Sequence, residues 1–254
     1  MKPGKETAVA NKRAEFLVGT SGWSYPHWKG VFYPEELPGN RWFAHYAEIF
    51  PTVEVNATFY RFFKDETYLK WRRQAPARFR YVLKAPGLIT HRKYLKDAED
   101  QIGRFWRSAV LLQEKLGLIL LQLAPRTPYD PDRLERAVRA FGDPRKVAVE
   151  FRDPKWLTQE TKERLTRLGS VFCSAESPKS ALLDWVTSPT AYIRLHGREG
   201  WYRYNYSDDD LREIAALARH MGELGAQSVY IFFNNDAEGF APGNARTLAR
   251  ILAS

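Results

Sequence analysis

Val147-Ala148-Val149-Glu150-Phe151-Arg152 is apolar until its end, where a carboxylate and a guanidinium stand two residues apart. Strand side chains alternate between faces, so Glu150 and Arg152 share one side and Val149 and Phe151 the other. A strand buried on both faces reads as a nearly continuous apolar run. A charged pair at its last inward positions is costly, because buried ions must be paired or neutralised. The pair therefore asks for a reason, and the flanking sequence offers one.

Seven more stretches have the form of short strands: 16–19, 52–56, 79–84, 118–123, 170–173, 192–197 and 228–233. Helical patterns alternate with them over 41–50, 66–75, 97–116, 131–141, 159–168, 208–224 and 244–252. Asn40, Asp65, Asp130 before Pro131, and Thr158 are expected caps, Ser207 and Asp210 suggest a capping box, and Gly169 is a stop. Residues 177–185 read as an irregular helical connection. The connections are too long for hairpins, which is the pattern of parallel β-α units. Eight of them in 254 residues favour a closed (β/α)8 TIM-type barrel over an open doubly wound sheet. No composition shift marks a second domain, so 16–254 reads as one barrel. Residues 1–15, polar and basic, read as a flexible N-terminal arm.

In such barrels the functional groups stand at the carboxyl ends of the strands. Polar residues collect there: Glu54 and Asn56, Lys84, Gln122, Glu150 and Arg152, Arg194 and His196, Asn234 and Asn235. A salt-bridged mouth accounts for any single pair but less well for six strands ending alike, since an unpaired buried polar group costs about 1–3 kcal/mol. Glu54 and Glu150 are the candidate bases, and a cation beside either would lower its pKa and favour an electrostatic role. His196 suits proton transfer or a satisfied core position. Lys84 suits an anion ligand or, if desolvated, a Schiff-base amine. Arg152 and Arg194 suit bidentate anion binding. The loop after the first strand carries Ser21, Trp23, Tyr25 and Trp28, and the loop after the second carries Tyr60. These aromatics either stack on a base or sugar or plug one end of the core.

Several classes lack their signatures. The five histidines form no His-x-His or His-Glu-x-x-His, and the single cysteine, Cys173, has no partner, so a metal site is not expected. No P-loop, dinucleotide fingerprint or Gly-x-Ser-x-Gly elbow occurs, so no organic cofactor is implied. One cysteine and the lack of an apolar leader or a membrane-length apolar run fit a cytoplasmic protein with no membrane partner. The formal net charge of +9 favours anionic partners, whether small phosphorylated molecules or nucleic acid, although much of it is mixed with acids on helices.

Five segments together resemble the YecE-like family: Gly19–Tyr25, Val53–Tyr60, Ala148–Arg152, Tyr192–Gly197 and Val229–Asp236. Leu121-Gln122-Leu123-Ala124-Pro125 is similar to its Leu-Gln-x-Pro-Pro segment, with Ala124 in place of the first proline. The resemblance runs from about Phe16 to the C-terminus. It implies a β/α barrel and marks these positions as important, while implying no reaction. Asp153 stands where many members carry histidine. The family barrel has been likened in shape to endonucleases of the same fold, whose histidine-rich metal cluster this chain lacks.

Three functional readings follow. The first is an enzyme, a hydrolase or lyase, acting on an anionic phosphate-containing or nucleic-acid-derived substrate. Lys84, Arg152 and Arg194 would hold the anion, and Glu54 or Glu150 would act as base or electrostatic stabiliser. The second is a non-catalytic binder of nucleic acid or a small ligand. The third is a glycoside hydrolase, which needs Glu54 and Glu150 at about 5–5.5 Å or 6.5–9.5 Å across a sugar.

Overall fold

A computed structural model describes residues 13–254. Eight strands, β1 (Glu15–Thr20), β2 (Thr52–Val55), β3 (Arg80–Lys84), β4 (Leu116–Gln122), β5 (Val147–Glu150), β6 (Val171–Glu176), β7 (Thr190–Leu195) and β8 (Ser228–Phe233), form one sheet. All neighbours are parallel, in the order β1-β8-β7-β6-β5-β4-β3-β2. Helices α1 (Trp42–Ile49), α2 (Ala57–Tyr60), α3 (Asp65–Gln74), α4 (Glu99–Ala109), α5 (Pro131–Arg139), α6 (Gln159–Leu168), α7 (Asp208–Glu223) and α8 (Phe240–Ala253) lie in the connections. The fold is the expected TIM-type barrel. Most of the expected arm, through Lys12, lies outside the described residues. Glu15 already donates its N–H to Gln227 O at 2.9 Å.

The barrel closes at the β1–β2 seam by an unusual device. The two strands share one isolated bridge, Ser21–Glu54, rather than a ladder. Beside it the Tyr46 hydroxyl, carried in by α1, accepts from Thr20 N and donates to Thr52 O, both at 3.0 Å. A phenol thus stands in for the missing backbone bonds, which satisfies groups that would be costly to bury unpaired. Gly19 makes the approach possible, because a Cβ there would lie 2.3 Å from Thr52 O.

Alternation then sorts the side chains. Outward residues such as Val53, Ile119, Val149 and Ile231 join the helices in the main core. Inward residues such as Val82, Leu120, Ala148, Cys173 and Phe232 fill the barrel as a separate apolar cluster. Cys173 is a buried free thiol, and burial pushes its pKa well up.

Asp130, Thr158 and Ser207 cap α5, α6 and α7 as expected, the last in a capping box with Asp210, and Gly169 ends α6 at φ 67°. Four local expectations need correction. Asn40 caps no helix and lies within the 3-10 turn Gly39–Arg41. Asp65 is the first residue of α3, and its Oδ1 accepts from Ser108 Oγ at 2.6 Å. The helix expected over 97–116 stops at Ala109. A 3-10 segment, Val110–Lys115, follows, and Gln113 takes φ 49° within it. That turn buries Leu112 and delivers the Lys115 ammonium to the Ala75 and Pro76 carbonyls. Finally, 177–185 contains no helix, because Ser177 and Ser180 bond each other's backbone at 2.9 and 3.0 Å.

Candidate functional site

The inward positions at the carboxyl ends of the strands carry a stacked set of charges in two tiers. The lower tier is built on Arg194 from β7. Its Nη2 donates to Glu54 Oε1 at 2.6 Å and its Nη1 to Glu150 Oε2 at 2.5 Å. Glu54 also accepts from Ser21 Oγ at 2.8 Å and from Tyr192 Oη at 2.5 Å. Glu150 also accepts from Gln122 Nε2, which lies 3.0 Å from both of its oxygens. Both carboxylates are fully buried, at 0% exposure, and Arg194 is at 1%. Burial alone would raise the two carboxyl pKa values. Arg194, joined at Glu150 by Arg152, more than offsets it and holds both below the usual carboxylate range.

The upper tier begins with Arg152. Its Nε donates to Glu150 Oε1 at 2.5 Å and its Nη2 lies 3.0 Å from His196 Nε2. A guanidinium only donates, so His196 accepts through Nε2. Burial, reinforced by Arg194, pushes the His196 pKa well below 6.5, so the ring is neutral with its proton on Nδ1. The Asn234 amide, 3.0 Å from Nδ1, then presents its oxygen, the two amide ends being alike in shape. His196 is thereby a neutral spacer that orients Arg152. The Trp201 ring lies 5.3 Å from the Arg152 guanidinium carbon in a cation–π contact.

Lys84 at the end of β3 is different. It is half-buried, and among the described residues its Nζ has no hydrogen-bond or ion-pair partner, lying instead 4.4 Å from the Phe59 ring centroid. Burial and Arg194 lower its pKa to about 8, against the opposite pull of Glu54 and Glu150.

Above this tier a cavity of about 610 Å³ has Gln122 and Arg152 in its wall, with His91, Asp153, Trp201 and Tyr202 around them. Ser177, Lys179 and Ser180 close one side. His91 also borders a second groove of about 320 Å³, lined by Phe59, Tyr60, Arg61, Phe62 and Arg92. Burial, with Lys84 and Arg152, lowers the His91 pKa. His91 sits in the π-turn Leu88–Arg92, a distortion often found at functional sites.

The expected ring is thus brought together in part. Glu54, Gln122, Glu150, Arg152, Arg194, His196 and Asn234 form one connected cluster with Ser21, Lys84 stands apart from its bonds, and only Gln122 and Arg152 of these line the cavity. Asn235 points elsewhere: its Nδ2 donates to Tyr204 O at 2.8 Å and Asn244 Oδ1 at 2.7 Å, tying the loop after β7 to α8. Asn56 opens α2 in a helical conformation, and its buried Oδ1 has no partner among the described residues. The aromatics of the first loop are plugs. Trp23 sits edge-on to Phe43 and Trp71, Tyr25 donates to Ser21 O at 2.5 Å, and Trp28 is fully buried with Nε1 on Asp236. Tyr60 is the reverse, 81% exposed on the second groove. His91, Asp153, Lys179, Trp201 and Tyr202 were not among the expected site residues. Their sequence signal is position in a loop following a strand, to which Asp153 adds its place where many members of the resembled family carry histidine.

No group of three or more His, Cys, Asp or Glu among the described residues could hold a metal ion. Likewise, no helix among them is long and apolar enough to cross a membrane.

Comparison with known proteins places this geometry in a wider set. The UPF0759 protein YunF of Bacillus subtilis is 24% identical over 271 aligned positions, covering 92% of this chain and 94% of the relative. The UPF0759 protein YecE of Escherichia coli is 30% identical over 156 positions, covering 60% of this chain and 54% of the relative. The crystal structure of a DUF72 family protein from Thermotoga maritima matches with TM-score 0.85 and 29% identity, over 94% of this chain and all of that one. One from Enterococcus faecalis matches in fold with TM-score 0.81 at 21% identity, over 94% of this chain and 96% of that one. The family model described as "Protein of unknown function DUF72" matches residues 17–254, and the chain belongs to that family.

Proposed function

We propose that the barrel mouth binds an anionic, phosphate-containing substrate and that the protein is an enzyme acting on it. The charge balance of the two tiers carries this reading. Both carboxylates are consumed by Arg194 and Arg152, so Lys84 is a surplus cation. Arg152 keeps an outward edge: its Nη1 has no partner among the described residues, and the side chain is 17% exposed at the cavity. A guanidinium backed by a carboxylate, a neutral imidazole and an indole is a preorganised anion ligand. Glu54 and Glu150 serve in this reading as electrostatic supports, since a ligand reaches neither.

The glycosidase reading finds no support in this geometry. The Arg194 guanidinium fills the space between the two carboxylates where a sugar ring would have to lie. The non-catalytic binding reading keeps one specific observation, the groove of Phe59, Tyr60, Arg61, Phe62 and Arg92, which pairs aromatic faces with cations as single-stranded nucleic acid requires.

Titration calorimetry with ribose 5-phosphate and with a single-stranded oligonucleotide, on wild type and Arg152→Gln, tests the proposal. The expected result is sugar-phosphate binding that falls at least tenfold in Arg152→Gln. Oligonucleotide binding that is unaffected by Arg152→Gln, with none for the sugar phosphate, would transfer the assignment to the second groove.

A further inference from the structure

Within the mouth cluster every charged side chain but one is matched. Glu54, Glu150, Arg152 and Arg194 bond one another, and His196 is neutral between two guanidiniums and an amide. Lys84 alone has no counter-ion in contact among the described residues. It ends β3, its carbonyl is fixed by Thr58 Oγ1 at 2.7 Å, and its stem is held beside Phe59. The Phe59 ring meets the His91 ring at 5.0 Å, and His91 borders both the cavity and the second groove. The amine therefore sits on a strand end, partly exposed, against the Phe59 ring that borders the second groove, although it lines neither space itself.

We propose that Lys84 is the nucleophile of the site and forms an imine with an anionic aldehyde or ketone whose charge is held by Arg152. The inference rests on the anion-binding reading above and names its substrate class. An exposed lysine is almost wholly protonated near neutrality, and an ion-paired one is held so by its partner. Lys84 escapes both conditions. The charged groups acting on it are Arg194 and Arg152, which favour the neutral amine, and Glu54 and Glu150, which oppose it while paired to those guanidiniums. With burial, the result is an amine that titrates at about 8 rather than 10.5.

The step balances without a co-reactant. The ammonium first loses a proton to solvent through the mouth. The nitrogen lone pair then attacks the carbonyl carbon, and proton transfer gives a carbinolamine. The carbonyl oxygen leaves as water with both amine hydrogens, and a C=N bond to Nζ remains. Its protonated form withdraws electrons from the adjacent carbon, as lyase chemistry at a carbonyl substrate requires.

Pyridoxal 5′-phosphate and pyridoxal are suitable probes, sharing one aldehyde and differing by the phosphate. The full chain is incubated with each, reduced with borohydride, and read by intact mass and peptide mapping. The expected result is one adduct per chain on Lys84 with pyridoxal 5′-phosphate. It should form at least tenfold faster than with pyridoxal and than at any other lysine, with a rate rising through about pH 8. Lys84→Arg, which keeps the charge, and Lys84→Met should both lose it while retaining the wild-type circular dichroism spectrum. Adducts spread over surface lysines without preference would overturn the proposal. So would no adduct at Lys84 in a protein that still binds ribose 5-phosphate, an outcome that leaves the anion site standing. Loss of both adduct and ribose 5-phosphate binding would overturn both readings.

Discussion

The two tiers of the barrel mouth use the same residue types to opposite ends. In the lower tier, Arg194 lies between Glu54 and Glu150 with all three sealed from solvent, and Ser21, Tyr192 and Gln122 occupy further lone pairs. In the upper tier, Arg152 faces open volume with bonding capacity unspent, and the Lys84 ammonium rests against the Phe59 ring with no polar partner among the described residues. A charge-matched, sealed ion cluster below a barrel mouth fixes geometry, even with Arg194 Nε unpartnered among the described residues, because breaking it strands a buried charge. An unsaturated one above it recruits a ligand. Charge at strand ends is therefore sorted by what is left over after internal pairing.

Substitutions sharpen that contrast in order of size. Arg194→Met leaves two buried carboxylates facing each other, and urea unfolding should show a loss of about 3–5 kcal/mol or failure to fold. A cost below about 1 kcal/mol would break the distinction between tiers. Arg152→Gln removes one partner of Glu150 but leaves Arg194 and Gln122 in place. Its stability cost should be clearly smaller than that of Arg194→Met, with the main loss in anion affinity.

Lys84→Met should act with the opposite sign. The folded pKa of Lys84, about 8, lies below its ordinary 10.5, so the unfolded chain holds the proton more tightly. Its contribution is therefore a penalty, fully present below pH 8 and relieved as pH rises toward 10.5. Lys84→Met should be more stable than wild type at pH 7, and the gap should shrink between pH 8 and 10.5 in parallel unfolding titrations. Glu54 and Glu150 behave conversely. Their folded pKa values are depressed, so their stabilisation is present above the ordinary carboxylate range and is lost as pH falls through the folded values. Smallest of all, Tyr60→Ala should change stability by less than about 0.5 kcal/mol, as expected for an exposed side chain, while lowering any oligonucleotide affinity.

Much of the barrel was legible in the chain because alternation and capping are local. Thr158, Gly169 and the Ser207–Asp210 box needed only their neighbours to be read. The same periodicity placed Glu54, Lys84, Glu150, Arg152, Arg194 and His196 at one barrel end. What it could not supply was depth. Glu150 and Arg152 are two residues apart, yet one is sealed and the other lines a cavity, because closure of the barrel over Arg194 is a three-dimensional fact. Nor could it tell Trp23, a plug against Phe43, from Trp201, which lies over Arg152, since both are aromatics in loops. The Tyr46 hydroxyl across the β1–β2 seam was invisible for the same reason: its stretch read only as a helical pattern over 41–50. Asn235 was misplaced beside Asn234 where strict alternation already separates them.

The most direct test of the two-tier account is a crystal soaked in tungstate, a phosphate-like anion visible by anomalous scattering. The expected result is a peak within hydrogen-bonding reach of Arg152 in the cavity bounded by Trp201 and His91, with no anion entering between Glu54 and Glu150. A mouth without bound tungstate at concentrations that fill other sites, or a displaced Arg194 with the anion in its place, would contradict it.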